Sequence, residues 1–264
     1  MIDAHAHLQL EPLRSQFDDL HARAQAANVT RMILVGVDLD SSKKAIELSA
    51  LHADLHATVG VHPSDGVKNG IGELDTEQGR AEFTNLLQQN KVCAIGEAGL
   101  DYHWIDKNDA QKRKQQWDMF IFQIQQSKKY ALPLIIHSRE AGEDTLAILR
   151  EHEPCRALMH CFSYDEELAA DFLSLNPKNK IAFTGIVTFP SAKEIQQTAR
   201  SVDLERMLTE SDCPYLAPQK YRGQQNEPAY IAEIVAKIAE LKGISFDEVD
   251  RQTESNAIKF FGLS

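Results

Sequence analysis

Met1-Ile2-Asp3-Ala4-His5-Ala6-His7 opens the chain, and the place where this short apolar run ends decides the fold. An open, doubly wound α/β sheet usually carries a glycine-rich phosphate loop after its first strand. Here that position holds His5-Ala6-His7. Working outward, β-branched apolar runs recur at roughly 1–6, 31–37, 56–61, 92–97, 133–137, 156–160, 180–185 and 206–212. Segments of helical periodicity lie between them, at about 14–28, 41–52, 79–90, 110–130, 140–152, 165–175 and 191–201, with two more near 227–242 and 246–260. Strands alternating with helices imply parallel pairing through right-handed crossovers. Eight such units without a composition break predict a single closed (β/α)8 TIM barrel over residues 1–264, with a doubly wound sheet as the alternative. Ser41-Ser42, Ser163 or Asp165, and Ser191 with Glu194 are the predicted N-caps of the second, sixth and seventh helices.

Composition narrows the class. The 264 residues carry 28 Lys+Arg against 39 Asp+Glu, a net charge of −11, which argues against a broad basic surface gripping nucleic acid. The four cysteines, Cys93, Cys155, Cys161 and Cys213, form no C-x-x-C pair and read as reduced thiols. No basic segment followed by an apolar run opens the chain, and no apolar stretch approaches the length of a membrane span. The expectation is a cytoplasmic protein with no membrane contact and no obligate protein partner.

Unusual polar residues sit at the ends of the apolar runs: His5 and His7, then His62, Glu97, His137, His160, and Glu210 with Asp212. In a parallel barrel all carboxyl ends of strands share one face. Residues i and i+2 of a strand project to the same side, so His5 pairs with His7 and Glu210 with Asp212. A lone His-x-His is weak evidence, but apolar strands rarely carry several such groups unless these are paired or metal-bound. Imidazole and carboxylate without thiolate suit Zn, Mn, Ni, Co or Mg. Four of these histidines with two of the carboxylates make six ligands, which exceed the needs of one tetrahedral ion, so two divalent metal ions are expected, which is hydrolytic machinery.

Seven ordered motifs carry a resemblance over nearly the whole chain. They are Asp3-Ala4-His5-Ala6-His7-Leu8, Gly60-Val61-His62-Pro63, the run from Gly96-Glu97 to Asp101-Tyr102, Ile136-His137-Ser138-Arg139, His160-Cys161-Phe162-Ser163, the run from Glu210-Ser211-Asp212 to Leu216, and Arg222-Gly223 followed by Asn226-Glu227-Pro228. With them the sequence resembles the TatD family of metal-dependent hydrolases, often described as deoxyribonucleases, among the amidohydrolase-like barrels. The resemblance implies that His5, His7 and Asp212 hold one ion, that His137 and His160 hold the second, and that Glu97 bridges them. Related amidohydrolases often bridge with a carboxylated lysine; Glu97 stands in that role here.

The ligand set implies attack of a metal-activated water on phosphorus, with Asp212 as proton acceptor and Glu210 as its orienter or a ligand of an extra ion. His62, Arg139 and Arg222 are the expected phosphate contacts. Tyr102, with Trp104, is an expected stacking surface for a terminal base. Phe120, Phe122, Phe260 and Phe261 are expected to face the core. The expected substrate is a DNA end or single-stranded DNA, cleaved as a 3′-to-5′ exonuclease would cleave it; the alternative is an amide, ester or lactone of a small metabolite on the same metals. The acidic balance does not bar DNA. Glu97 and Asp212 contribute −2 and two divalent ions +4, a local balance of +2, and distant surface charge is screened beyond roughly 8–10 Å.

Overall fold

The structure is a computed structural model that describes residues 1–68, 71–105 and 109–263. Among these, the strands in chain order are β1 (Ile2–Ala6), β2 (Arg31–Leu34), β3 (Leu55–Val59), β4 (Val67–Lys68), β5 (Ile71–Gly72), β6 (Val92–Asp101), β7 (Leu134–Arg139), β8 (Ala157–Met159), β9 (Lys180–Phe183) and β10 (Met207–Thr209). The helices are α1 (Phe17–Ala26), α2 (Leu39–Leu51), α3 (Glu77–Leu86), α4 (Ala110–Tyr130), α5 (Gly142–His152), α6 (Glu166–Leu175), α7 (Lys193–Ser201), α8 (Ile231–Lys242) and α9 (Phe246–Phe261). Each of the eight expected strands and nine expected helices has a counterpart, and the small β4–β5 hairpin is additional. None of these helices is long and apolar enough to cross a membrane.

The chain divides into two compact units. Unit 1 comprises Met1–Leu34, Cys161–Ser174 and Lys180–Ser264, and unit 2 comprises Val35–His160 and Leu175–Asn179. In unit 1, β1 pairs in parallel with β2, and β10 with β9. The chain just beyond β10 returns to β1: the Asp212 amide donates to the His5 carbonyl at 2.9 Å, and the His7 amide to that of Cys213 at 3.1 Å. All five residues of β1 are buried, Asp3 and His5 included. Asn256 of α9 donates through Nδ2 to the carbonyls of Leu204 and Met207, both at 2.8 Å, and so ties the last helix to the start of β10.

In unit 2 the parallel order is β3, β6, β7, β8. β6 runs to Asp101, four residues beyond its expected end, because Ala98 through Asp101 pair with Ile136 through Arg139 of β7 after a register shift. Gly99, at φ +141°, makes this possible: a Cβ there would lie 2.0 Å from the His137 carbonyl oxygen. Two glutamines of α4, one above the other on its buried face, satisfy strand-end backbone. Gln116 accepts from the Asp101 amide (3.0 Å) and donates to its carbonyl (2.9 Å); Gln123 does the same for Val61, at 3.0 and 2.9 Å. Backbone groups where a strand ends would otherwise be buried without partners.

Two caps differ from expectation. Helix α2 begins at Asp38, whose side chain accepts from the Ser41 amide while Ser41 Oγ accepts from the Asp38 amide, so Ser41 takes the reciprocal place in a capping box. Helix α7 begins at Lys193 behind Ala192 with no side-chain cap, one residue too late for Ser191; Gln196 instead binds the Val187 and Phe189 carbonyls before it. Asp165 caps α6 as expected, accepting from the Leu168 amide at 2.9 Å. Phe120, Phe260 and Phe261 are buried. Phe122 lies at the edge, against Phe83 and under the Arg80 guanidinium. The four cysteines are free thiols.

Gly99→Ala is expected to cost roughly 3 kcal/mol or more, since backbone strain and overpacking add. Gly243→Ala, also at positive φ but with nothing within 4 Å, should cost only about 1–2 kcal/mol. Urea unfolding midpoints at unchanged m test the difference; equal shifts would refute the close-approach argument.

Candidate metal centre

Unit 1 brings three ligand atoms together. His5 Nε2 and His7 Nε2 are 3.1 Å apart, and Asp212 Oδ1 lies 3.7 Å from the first and 3.6 Å from the second. Ligands about 2.0–2.1 Å from a tetrahedral ion sit roughly 3.3 Å from one another, so this triangle has the dimensions of a coordination site. Its backbone is fixed by Asp3, on the same side of β1, whose Oδ1 accepts from the Ser211 amide at 2.8 Å and from the His5 amide at 3.3 Å. Burial above all raises the Asp3 pKa to about 7, against the hydrogen bonds from Ser211 and His5. Glu210 is fully buried and accepts from the Cys161 amide at 2.6 Å, which holds the turn that follows β8.

Unit 2 builds a second set around one oxygen. Glu97 Oε1 lies 2.8 Å from His137 Nδ1, 3.3 Å from His160 Nε2 and 3.7 Å from His62 Nε2. Asp101 Oδ2 meets the other nitrogen of His137 at 3.2 Å. Burial alone would raise the Glu97 pKa, but the charges of His160 and His62 and the hydrogen bonds from His137 and His160 hold it well below the usual carboxylate range. Asp101 is lowered in the same way, its burial outweighed by His137. Burial disfavours a charged His137, yet its bonds to Asp101 and Glu97 prevail and raise its pKa to about 8. The donor sets, imidazole nitrogens with carboxylate oxygens and no thiolate, fit the divalent ions expected.

His62, expected as a phosphate contact, is thus within the unit 2 set, its ring 4.4 Å from that of His137. Its Nδ1 faces the amides of Ser64 and Asp65 at 3.2 and 3.3 Å. Arg139 is exposed and lies 5.6 Å over Trp104, which is itself 69% exposed. Arg222 is exposed and lies over Phe189. Tyr102 is enclosed instead: its hydroxyl donates to Asp144 and accepts from Trp117, both at 2.7 Å, and Arg113 covers its ring. Sequence reading gave Asp3 and Asp101 no role. The signal for Asp3 was present as the i, i+2, i+4 spacing with His5 and His7; that for Asp101 was hidden by the unexpected length of β6.

The family model described as TatD related DNase matches residues 2–262. The chain belongs to the TatD family. Its relatives include a metal-dependent hydrolase of Bacillus subtilis strain 168, YabD, described as uncharacterized, which is 36% identical with 100% of each chain covered. Among solved structures, the TatD homologue YJJV of Escherichia coli K12 superposes with a TM-score of 0.90 at 26% identity, covering 100% of this chain and 98% of that one. An uncharacterized amidohydrolase of Saccharomyces cerevisiae superposes at 0.81 with 18% identity, covering 98% and 99%. The fold of this TatD member is therefore the (β/α)8 barrel of these structures.

Ion binding at His137 must displace a proton, because an imidazole bonded to two carboxylates carries one on each nitrogen. Apparent metal affinity is expected to climb between pH 6.5 and 8 and to level off above, with proton release visible by titration calorimetry in buffers of different ionisation enthalpy. An affinity flat across that range would exclude His137 as a ligand. Without metal the sign reverses. A raised His137 pKa stabilises the fold fully below about 6.5, and this contribution is lost as pH rises through about 8; Asp3 acts in the same direction, losing its contribution between about 4 and 7. Denaturant midpoints of the metal-free protein should fall over this range.

Proposed function

We propose that this TatD family member is a metal-dependent deoxyribonuclease that hydrolyses phosphodiester bonds at DNA ends, releasing nucleotides in the 3′-to-5′ direction. The observation that carries the reading is the pairing of a family match over residues 2–262 with clustered imidazole and carboxylate atoms at strand ends. His5, His7 and Asp212 would hold one divalent ion, and Glu97, His137 and His160 another. Bound there, such ions lower the pKa of water and neutralise charge on a phosphoryl group.

The protein's own groups do the rest. Asp212 accepts the proton of the attacking water at its carboxylate; its backbone, at φ +56°, turns this side chain out of the line of β10. Glu210, held on the Cys161 amide, keeps the turn beside it in place. The exposed Arg139 and Arg222 offer guanidinium forks to phosphate oxygens. With a net charge of −11 the remaining surface repels a long duplex, which favours short, end-directed contact.

The protein loaded separately with Zn, Mn, Mg, Co or Ni is expected to release nucleotides from labelled single-stranded DNA. Glu97→Ala should abolish turnover, and Asp212→Asn should lower kcat by roughly 10³-fold or more. Turnover of small amides, esters or lactones, with no nucleotide release under any metal, would transfer the same site to the alternative substrate class.

A further inference from the structure

The unit 1 ligand set has an aromatic neighbour that the roles above leave unused. Tyr215 lies three residues beyond Asp212, and its ring centroid is 6.2 Å from that of His7, with the planes at 70°. A T-shaped contact of this kind occupies at most one face of the tyrosine ring. The residue is 58% exposed, so solvent reaches much of its side chain.

Surface tyrosines usually sit on backbone that tolerates movement; this one does not. The Tyr215 amide donates to the Asp212 carbonyl at 2.9 Å, and its carbonyl accepts from Asn226 Nδ2 at 2.6 Å. Asn226 is fully buried, donates also to the Ser211 carbonyl at 2.7 Å, and gives its own amide to the Pro214 carbonyl at 3.1 Å. One buried side chain thus ties the Tyr215 backbone to the strand end that carries Asp212. Asp212 and Leu216, on either side, take left-handed conformations at φ +56° and +55°, which residues with a Cβ adopt only under constraint. Beneath the loop, Gly185 allows close approach: a Cβ there would lie 2.0 Å from the Leu216 carbonyl oxygen. Strain, a buried amide and a glycine contact all act to hold an exposed aromatic ring at one place beside a ligand imidazole.

We propose that Tyr215 is the stacking surface for the nucleobase of the terminal nucleotide, an assignment that rests on the deoxyribonuclease reading. An enzyme that removes nucleotides in succession must accept every base. Stacking suits that need, because each base has a π-face, whereas hydrogen-bond readout would select among them. The ring selects nucleotides over bare sugar phosphates and sets the terminal base against the unit 1 ligands.

The test is equilibrium binding, which needs no turnover. With Zn-loaded protein, dAMP and TMP are expected to bind about tenfold more tightly than 2-deoxyribose 5-phosphate, a gain typical of one stacked base. Tyr215→Phe should keep this preference, and Tyr215→Ala, checked for folding by circular dichroism, should reduce it below twofold. Equal affinities in the wild-type protein, no nucleotide binding, or a full preference retained by Tyr215→Ala would each overturn the assignment. Hydrolysis of DNA is scored separately: its absence with an intact, Tyr215-dependent base preference sinks the deoxyribonuclease reading and leaves Tyr215 as a nucleotide contact.

Discussion

A carboxylate buried at the end of an apolar strand survives only if something opposes its charge, and Glu97 is that carboxylate. Only 4% of its surface is exposed, and three imidazole nitrogens surround one of its oxygens within 3.7 Å. Burying an unpaired carboxylate would cost several kcal/mol, so the histidines and Glu97 stabilise one another. The same balance explains His137, which burial would strip of its proton and which two carboxylates keep charged to about pH 8. Such a set stores affinity for a cation, since a divalent ion can replace the protons that now hold it together.

Unit 1 meets a similar demand differently. The nitrogens of His5 and His7 face each other at 3.1 Å, an approach that two protonated imidazoles would resist. They are kept there by backbone: β1 is clamped by Asp3 to the Ser211 amide and by the amides of Asp212 and His7 to the segment that follows β10. Residues in left-handed conformation follow three strand ends, Glu140 after β7, Cys161 after β8 and Asp212 after β10. Strain of this kind persists where surrounding bonds overdetermine the backbone. In unit 1 the ligand side chains are thus positioned by hydrogen bonds of the main chain that carries them, whereas in unit 2 the ligand atoms are held mainly by one another.

Much of this was legible from local chemistry. His5, His7, Glu97, His137, His160 and Asp212 stand out because each interrupts an apolar run where that run ends. The C-terminal end of β6 and the start of α7 were not legible. Gly96-Glu97-Ala98-Gly99 has the composition of a turn, and only pairing with β7 makes it strand. Ser191 has the spacing of a cap, but α7 begins one residue later, behind Ala192 and without a side-chain cap. Tyr102 looked available for stacking because its bonds to Asp144 and Trp117 join residues 42 and 15 positions away.

The sequence by itself determined the alternation of strands and helices, the reduced state of the cysteines and the chemical class of the ligands, because periodicity and side-chain type are properties of the local chain. Tertiary structure alone decided that His62 joins Glu97 and His137, that Asp101 shares His137, that Gln116 and Gln123 close the strand ends, and that Tyr215 is exposed beside His7. Each of these depends on partners 15 to 208 positions apart in sequence. Which of them meet follows from strand register and buried backbone hydrogen bonds, and these have no local signature.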